Sequence, residues 1–273
     1  MKTDPSIGPQ HRLFPEPGEE LVFYEQPLNE RIRAFLRLEY LFDLVAHSID
    51  GVTDWHSRAA LGGLIEITDL LSRFDLRAEL LKETERHAQV LTGLRQNPSV
   101  DPTRLQQSLA RLDQLQTQLR SSSCQPAQAL RKDELVYAVR HRLPIPGGTC
   151  SFDLPAYHFW LRRPAELRIA QLNNWLRDLI VIRDGVAEAL TMIRNSAHPL
   201  LVVARAGFYQ KPVDANLICQ LVRVGVSGTL GVFPEISGGK HRFTIRFLSQ
   251  PDTATRPTQS SKDVEFELQC CNL

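Results

Sequence analysis

No run of about eighteen apolar residues, the length that a membrane-spanning helix needs, occurs in the 273-residue chain. The first residues, MKTDP, lack the apolar core of a signal peptide, so the expected location is the cytoplasm and no membrane partner is expected. Charge of one sign is also missing, since 32 Lys and Arg against 31 Asp and Glu leave a formal charge of +1. Nucleic-acid binding draws on a concentrated basic surface, so nucleic acid is not an expected partner and charge-driven recognition has to be local. The five cysteines, Cys124, Cys150, Cys219, Cys270 and Cys271, include no C-x-x-C pair, which argues against both a disulfide framework and a zinc knuckle. Adjacent Cys270 and Cys271 admit a redox-switch reading, but neighbours along a strand face opposite sides, so one core thiol and one surface thiol is preferred. The eight histidines show no H-x-x-x-H spacing, and neither a metal nor a cofactor is expected.

Catalytic patterns are equally thin. SGGK at 237–240 resembles the end of a phosphate-binding loop, yet His241 stands where magnesium coordination needs Ser or Thr, and no helix pattern follows. A hairpin turn explains it better. Cys150 and His158 lie close in sequence, but nothing supplies the third group that would orient a thiol and its base. The chain is expected not to be an enzyme.

What is present is a composition that buries a core, 42% hydrophobic with 23% charged residues, in a length suited to one large or two ordinary domains. Residues 1–20 hold four prolines and no apolar period and read as a disordered tail. Residues 21–27 contain a short strand, LVFY, without a strand partner nearby, so it is expected to join the C-terminal sheet. From 28 to 198 the spacing is helical. A first helix starts near Leu28, a second covers about 54–74, and a third covers about 76–96 with Thr84 and His87 interrupting its leucine face. After Pro98 and Pro102, a fourth carries Leu105, Leu109, Leu112, Leu115 and Leu119 as a stripe that suits an intramolecular seam, the preferred reading, or a dimer face. Helices near Lys132–Arg142 and from Pro164 to Asn195 complete this body.

Past His198 the apolar period becomes alternating, with strand candidates at 205–210, 219–224, 232–237, 242–248 and 264–270. The Ser/Thr/Pro-rich loop 249–262 between the last two is expected to be mobile. The fold class is therefore α+β: an all-helical domain over 28–198, where dimerisation is expected, followed by a small antiparallel β-domain over 199–273.

In HRFTIRF (241–247), alternation sends Phe243, Ile245 and Phe247 to one face and Arg242, Thr244 and Arg246 to the other. The two arginines stand about 13 Å apart along the strand, and guanidinium forks bind carboxylates bidentately. Such a pair suits an extended acidic peptide or a free C-terminus; taken alone, the residues are better described as a solvated strand face.

Three separated segments resemble the ZapD family of bacterial cell-division factors, which associate with the tubulin-like protein FtsZ. They are YEQPLNERIRAFLRLE (24–39), RLPIPGGTCSFDLP (142–155) followed by His158 and Trp160, and PEISGGKHRFTIRF (234–247), with the shorter LRAELLKE (76–83) between the first two. The resemblance implies a homodimer that binds the C-terminal tail of FtsZ directly and bundles its protofilaments at the mid-cell division ring. Lower FtsZ GTP turnover would follow indirectly, and no catalysis is implied. On this resemblance Arg242 and Arg246 are the expected tail-binding residues, with Lys240 adding attraction from the preceding turn and Arg73 as a third contact. Arg37 and His158 lie inside the matched segments and serve either the partner, the dimer interface or the fold. A generic protein-binding adaptor, or an unrelated cytoplasmic enzyme without a recognisable motif, is the alternative. The PIPGG stretch (144–148) reads as a structural turn, because proline fixes φ and glycine permits positive φ.

Overall fold

The computed structural model describes residues 21–73, 75–212, 219–239 and 242–272. The expected disordered tail, residues 1–20, lies outside the described residues. The chain divides into two compact units, one spanning Glu30–Met192 and the other combining the N-terminal part up to Asn29 with the part from Ile193 onward.

The first unit is helical: α1 (Glu30–Ile49), α2 (Asp54–Arg73), α3 (Leu76–Gly93), α4 (Pro102–Arg120), α5 (Gln128–Arg131), α6 (Glu134–Arg142), α7 (Pro155–Leu161), α8 (Ala165–Arg177) and α9 (Ile180–Asn195), whose last residues, from Ile193 on, including Arg194, belong to the second unit. Its helix starts follow local chemistry. Asp75, Asp101 and Asp133 each precede a helix and accept from the backbone N–H of its first turn, and Pro102 occupies a first-turn position where its missing N–H costs nothing. On α4, Leu105, Leu112, Leu115 and Leu119 are buried within the chain and Leu109 is half-buried, so most of the leucine stripe is an intramolecular seam. The expected continuous helix 164–195 is instead two, α8 and α9. Asp178 caps the end of α8 between them, and its carboxylate accepts from Ala129 N (2.9 Å) at the start of α5, a partner far away in sequence. The helix expected near Lys132–Arg142 is α6, which Asp133 starts by accepting from Leu135 N (2.9 Å).

The polar break in the α3 leucine face is a buried cluster. Glu83, Thr84 and His87 are fully buried. Arg31 Nη2 of α1 lies 3.1 Å from Glu83 Oε2, His87 Nε2 lies 3.0 Å from Glu83 Oε1, and Arg86 donates to the same carboxylate.

The second unit contains two antiparallel sheets where the sequence reading foresaw one. The first sheet has strand order β1 (Leu21–Pro27), β4 (Leu221–Ser227), β8 (Val264–Cys271), β2 (Leu200–Ala204); the second has β3 (Phe208–Pro212), β6 (Arg242–Ser249), β5 (Phe233–Gly238). The N-terminal strand β1 joins the first sheet as expected, pairing along β4 from Leu21↔Ser227 to Pro27↔Leu221. The expected strand 205–210 is broken at its start. Ala206 (φ 46°) and Gly207 (φ 70°) form a tight left-handed turn after β2, and Asp263 Oδ1 holds it by accepting from Ala206 N (2.9 Å). This turn passes the chain from one sheet to the other. Val222, Val224, Val226, Phe266 and Leu268 of the first sheet pack with Phe243, Ile245 and Phe247 of the second, the Phe247 and Phe266 rings lying 5.0 Å apart. Within the expected mobile loop 249–262, Thr258–Gln259 forms β7 against Leu248 and Ser249, and Ser260 N donates to Phe247 O (2.9 Å), fastening that part to the sheet.

On β1, Glu25 stands directly opposite Arg223. It accepts two bonds from Arg194, at 2.8 and 2.7 Å, and one from Arg223 at 2.8 Å. Burial alone would raise the Glu25 pKa, but the bonds and charges of Arg194 and Arg223 outweigh it and hold the carboxyl below its ordinary range. A carboxylate whose folded pKa is depressed stabilises fully above its unfolded pKa of about 4.3, and loses that contribution as pH falls through the folded value. Glu25→Gln is therefore expected to cost about 1–2 kcal/mol at neutral pH. Thermal melts across the acidic range check this: the variant's deficit should shrink with acidification, and a deficit that stays constant would remove the charge argument.

Candidate partner-binding surface

Sequence alternation on β6 is realised in the structure. Phe243, Ile245 and Phe247 are buried, while Arg242 and Arg246 are exposed on the opposite face. The hairpin between β5 and β6, closed by Gly239 N donating to Arg242 O (2.9 Å), sets the neighbours of each arginine. Arg246 lies between Phe208 of β3 and Glu235 of β5, Thr244 between Gln210 and Ser237, and Arg242 beside Pro212. Residues directly opposed across a ladder share a face, so this surface spans three strands. Ser237 and Gly238 end β5 and Gly239 N bonds back to β6, so this stretch approaches a hairpin and is not the lead into a helix.

The basic face is not uniformly free. Arg246 Nη2 donates to Glu235 Oε2, and both side chains are about half exposed, at 54% and 52%. An exposed pair of this kind contributes about 0–1 kcal/mol, so an incoming carboxylate can take Glu235's place at little cost. Beside Arg246, Phe208 is 42% exposed, and Phe233 and Leu248 pair across β5 and β6 while half-buried. The face therefore combines guanidinium groups with an apolar strip at one end. Neither Glu235 nor Phe208 was singled out from the sequence. Glu235 was within reach: once the turn closes at Gly239 and Arg242, counting back along both strands places it opposite Arg246.

Of the other expected site residues, Lys240 lies outside the described residues. Arg73 ends α2, is exposed, and borders a pocket of about 360 Å³ with Asp75, Arg77 and Arg131. Arg77 has a structural task there. Its Nε, Nη1 and Nη2 donate to the carbonyls of Leu119 (2.6 Å), Cys124 (3.0 Å) and Ser121 (3.1 Å), satisfying acceptors at and beyond the end of α4. Arg37 is exposed on α1, and His158 is half-buried on α7. These three occupy separate helices of the helical unit, whereas Arg242 and Arg246 belong to the β unit. The PIPGG segment forms consecutive turns, with Ile145 N bonded to Arg142 O (3.0 Å), Gly148 N to Ile145 O (2.9 Å) and Gly147 at φ 70°. Cys150 Sγ donates to Asp153 Oδ2 at 3.5 Å, one turn before α7 opens at Pro155.

Among the described residues, no helix is long and apolar enough to cross a membrane. The family model for ZapD, described as a cell division protein, matches residues 36–246. The cell division protein ZapD of Methylococcus capsulatus is 42% identical over 252 residues, covering 92% of this chain and 98% of that protein. Its counterpart in Azoarcus sp. is 40% identical over 253 residues, covering 93% of this chain and all of the relative (100%). The one from Aromatoleum aromaticum is 38% identical over 256 residues, covering 94% and 99% respectively. With its helical unit, its antiparallel sheets and a match that runs through the RFTIR strand, the chain belongs to the ZapD family of cell division proteins.

Proposed function

We propose that this chain binds the C-terminal tail of FtsZ through the outer face of the second sheet, and that as a homodimer it cross-links and bundles FtsZ protofilaments at the mid-cell division ring. The observation that carries this reading is the exposed pair Arg242 and Arg246 on β6, with Phe208 beside Arg246. Guanidinium groups take the carboxylates of an extended tail bidentately, and the neighbouring phenyl ring takes an apolar side chain. Arg73, Arg37 and His158 of the helical unit, and Lys240, are auxiliary candidates for the partner or the dimer interface.

Two weak sites on one dimer suffice. On a filament that displays many tails, the second engagement takes place at high effective concentration, so modest single-site affinity becomes avid cross-linking. Bundled protofilaments exchange subunits more slowly, so lower FtsZ GTP turnover follows without chemistry by this chain. The test is co-sedimentation of the full chain with polymerised FtsZ, with and without the tail. Pelleting should depend on the tail, and equal pelleting with tail-less filaments would overturn the assignment. Sedimentation velocity of the chain alone should return a dimer; a monomer at working concentration would remove two-site cross-linking.

A further inference from the structure

Adjacent Cys270 and Cys271 separate as strand alternation requires. Cys271 is fully buried, and burial pushes its pKa up to about 12, leaving an inert core thiol. Cys270 faces the other way and meets a residue distant in sequence, Cys219. Both line a pocket of about 280 Å³ in the β unit, together with His198, Leu200, Lys211 and Phe243. Both are half-buried, so the sulfurs are shielded without being sealed from small reagents. The two thiols lie close enough to interact, and Cys219 Sγ lies 3.6 Å from Leu221 O.

We propose that Cys219 and Cys270 form a peroxide-sensitive modification site, with Cys270 as the attacking sulfur and Cys219 as the resolving one. The arrangement distinguishes the two roles. The thiol of Cys219 and the positive charge of Lys211 outweigh burial at Cys270 and bring its pKa down to about 7, whereas contact with Cys270 and burial move Cys219 upward. Cys270 is the sulfur that ionises first. Its thiolate attacks one oxygen of hydrogen peroxide; the S–O bond forms, the O–O bond breaks, and the departing hydroxide takes a proton from solvent to become water. Sulfur is oxidised by two electrons and the peroxide is reduced by two. Cys219 then loses its proton and attacks the sulfenic sulfur, forming the S–S bond, breaking the S–O bond and releasing a second water.

Alkylation of the full chain by iodoacetamide, followed site by site by mass spectrometry, tests the first role. Cys270 should show a rate midpoint near pH 7, and at that pH should react roughly fivefold faster than Cys124, whose pKa burial raises, after allowing for the lower nucleophilicity of a more acidic thiol. Peptide mapping of the unmodified chain after hydrogen peroxide should find a Cys219–Cys270 cross-link. Cys219→Ser should abolish the cross-link and let the sulfenic acid on Cys270 accumulate, captured by dimedone. A midpoint above about pH 8, or peroxide treatment that leaves Cys219 and Cys270 unlinked, overturns the proposal. The mapping uses the natural chain, so the result does not depend on a variant folding.

Discussion

Glu83→Ala is expected to destabilise the helical unit by about 3–5 kcal/mol, the range for removing one partner of a buried ion cluster. The carboxylate is fully buried on α3 and is the shared acceptor for Arg31, Arg86 and His87. Without it, Arg86 and the fully buried His87 lose their shared carboxylate, and Arg31 keeps the more distant Glu79 (3.9 Å). Glu83→Gln keeps the shape and removes the charge, so it should fall between the natural chain and the alanine variant. Burial by itself raises the Glu83 pKa, but hydrogen bonds from His87 and Arg86 and the charges of Arg31 and Arg86 bring it down to about 2. Because the folded value lies below the unfolded one, the group stabilises fully above about pH 4.3 and loses that contribution as pH falls towards 2. The shift corresponds to about 3 kcal/mol. Urea unfolding at neutral pH and near pH 3 measures both effects. A loss under about 1 kcal/mol in the alanine variant would show that water or a rearranged side chain replaces the carboxylate.

The second large effect concerns binding. Reversing both charges, with Arg242→Glu and Arg246→Glu, is expected to weaken binding to an FtsZ tail peptide by at least about 30-fold, or about 2 kcal/mol. Thermal stability should change by only about 0.5 kcal/mol, because both side chains are exposed. Arg246→Glu alone is a blurred test, since it sets two carboxylates opposite each other at Glu235. Combining Arg246→Glu with Glu235→Arg restores that pair in reverse and moves the positive charge from β6 to β5. If tail binding requires the guanidinium on β6, the exchanged variant binds weakly while melting like the natural chain. Titration at low and moderate salt completes the test, because contacts of exposed charges weaken with screening. Undiminished binding by the doubly reversed chain at low salt would return this face to ordinary solvated surface.

The core face of β6 was legible in the sequence because strand alternation is a local property of the backbone: Phe243, Ile245 and Phe247 go inward only if Arg242 and Arg246 go outward. Helix starts at Asp75, Asp101 and Asp133 were equally local, each resting on a carboxylate and the N–H groups within three residues of it. The Arg246–Glu235 pair was recoverable in principle, since one hairpin turn fixes the register of two strands, but the sequence reading treated the arginines without their neighbours. Residues joined only through the fold could not be read. The α8–α9 break carries a bond from Ala129 to Asp178, and the stability of the α3 polar break depends on Arg31 of α1. The division into two sheets depends on Asp263 holding the turn at Ala206.

The sequence by itself thus determined the α+β order and the two faces of the RFTIR strand, because periodicity and turn chemistry act over a few residues. Only the tertiary structure decided that Arg246 already has a carboxylate partner, that most of the leucine stripe of α4 closes within the chain, that Glu83 is a buried hub, and that Cys270 meets Cys219 while its neighbour Cys271 is buried. Each of these depends on groups brought together from separate stretches of chain, and burial, desolvation and charge pairing take their magnitude from that assembly.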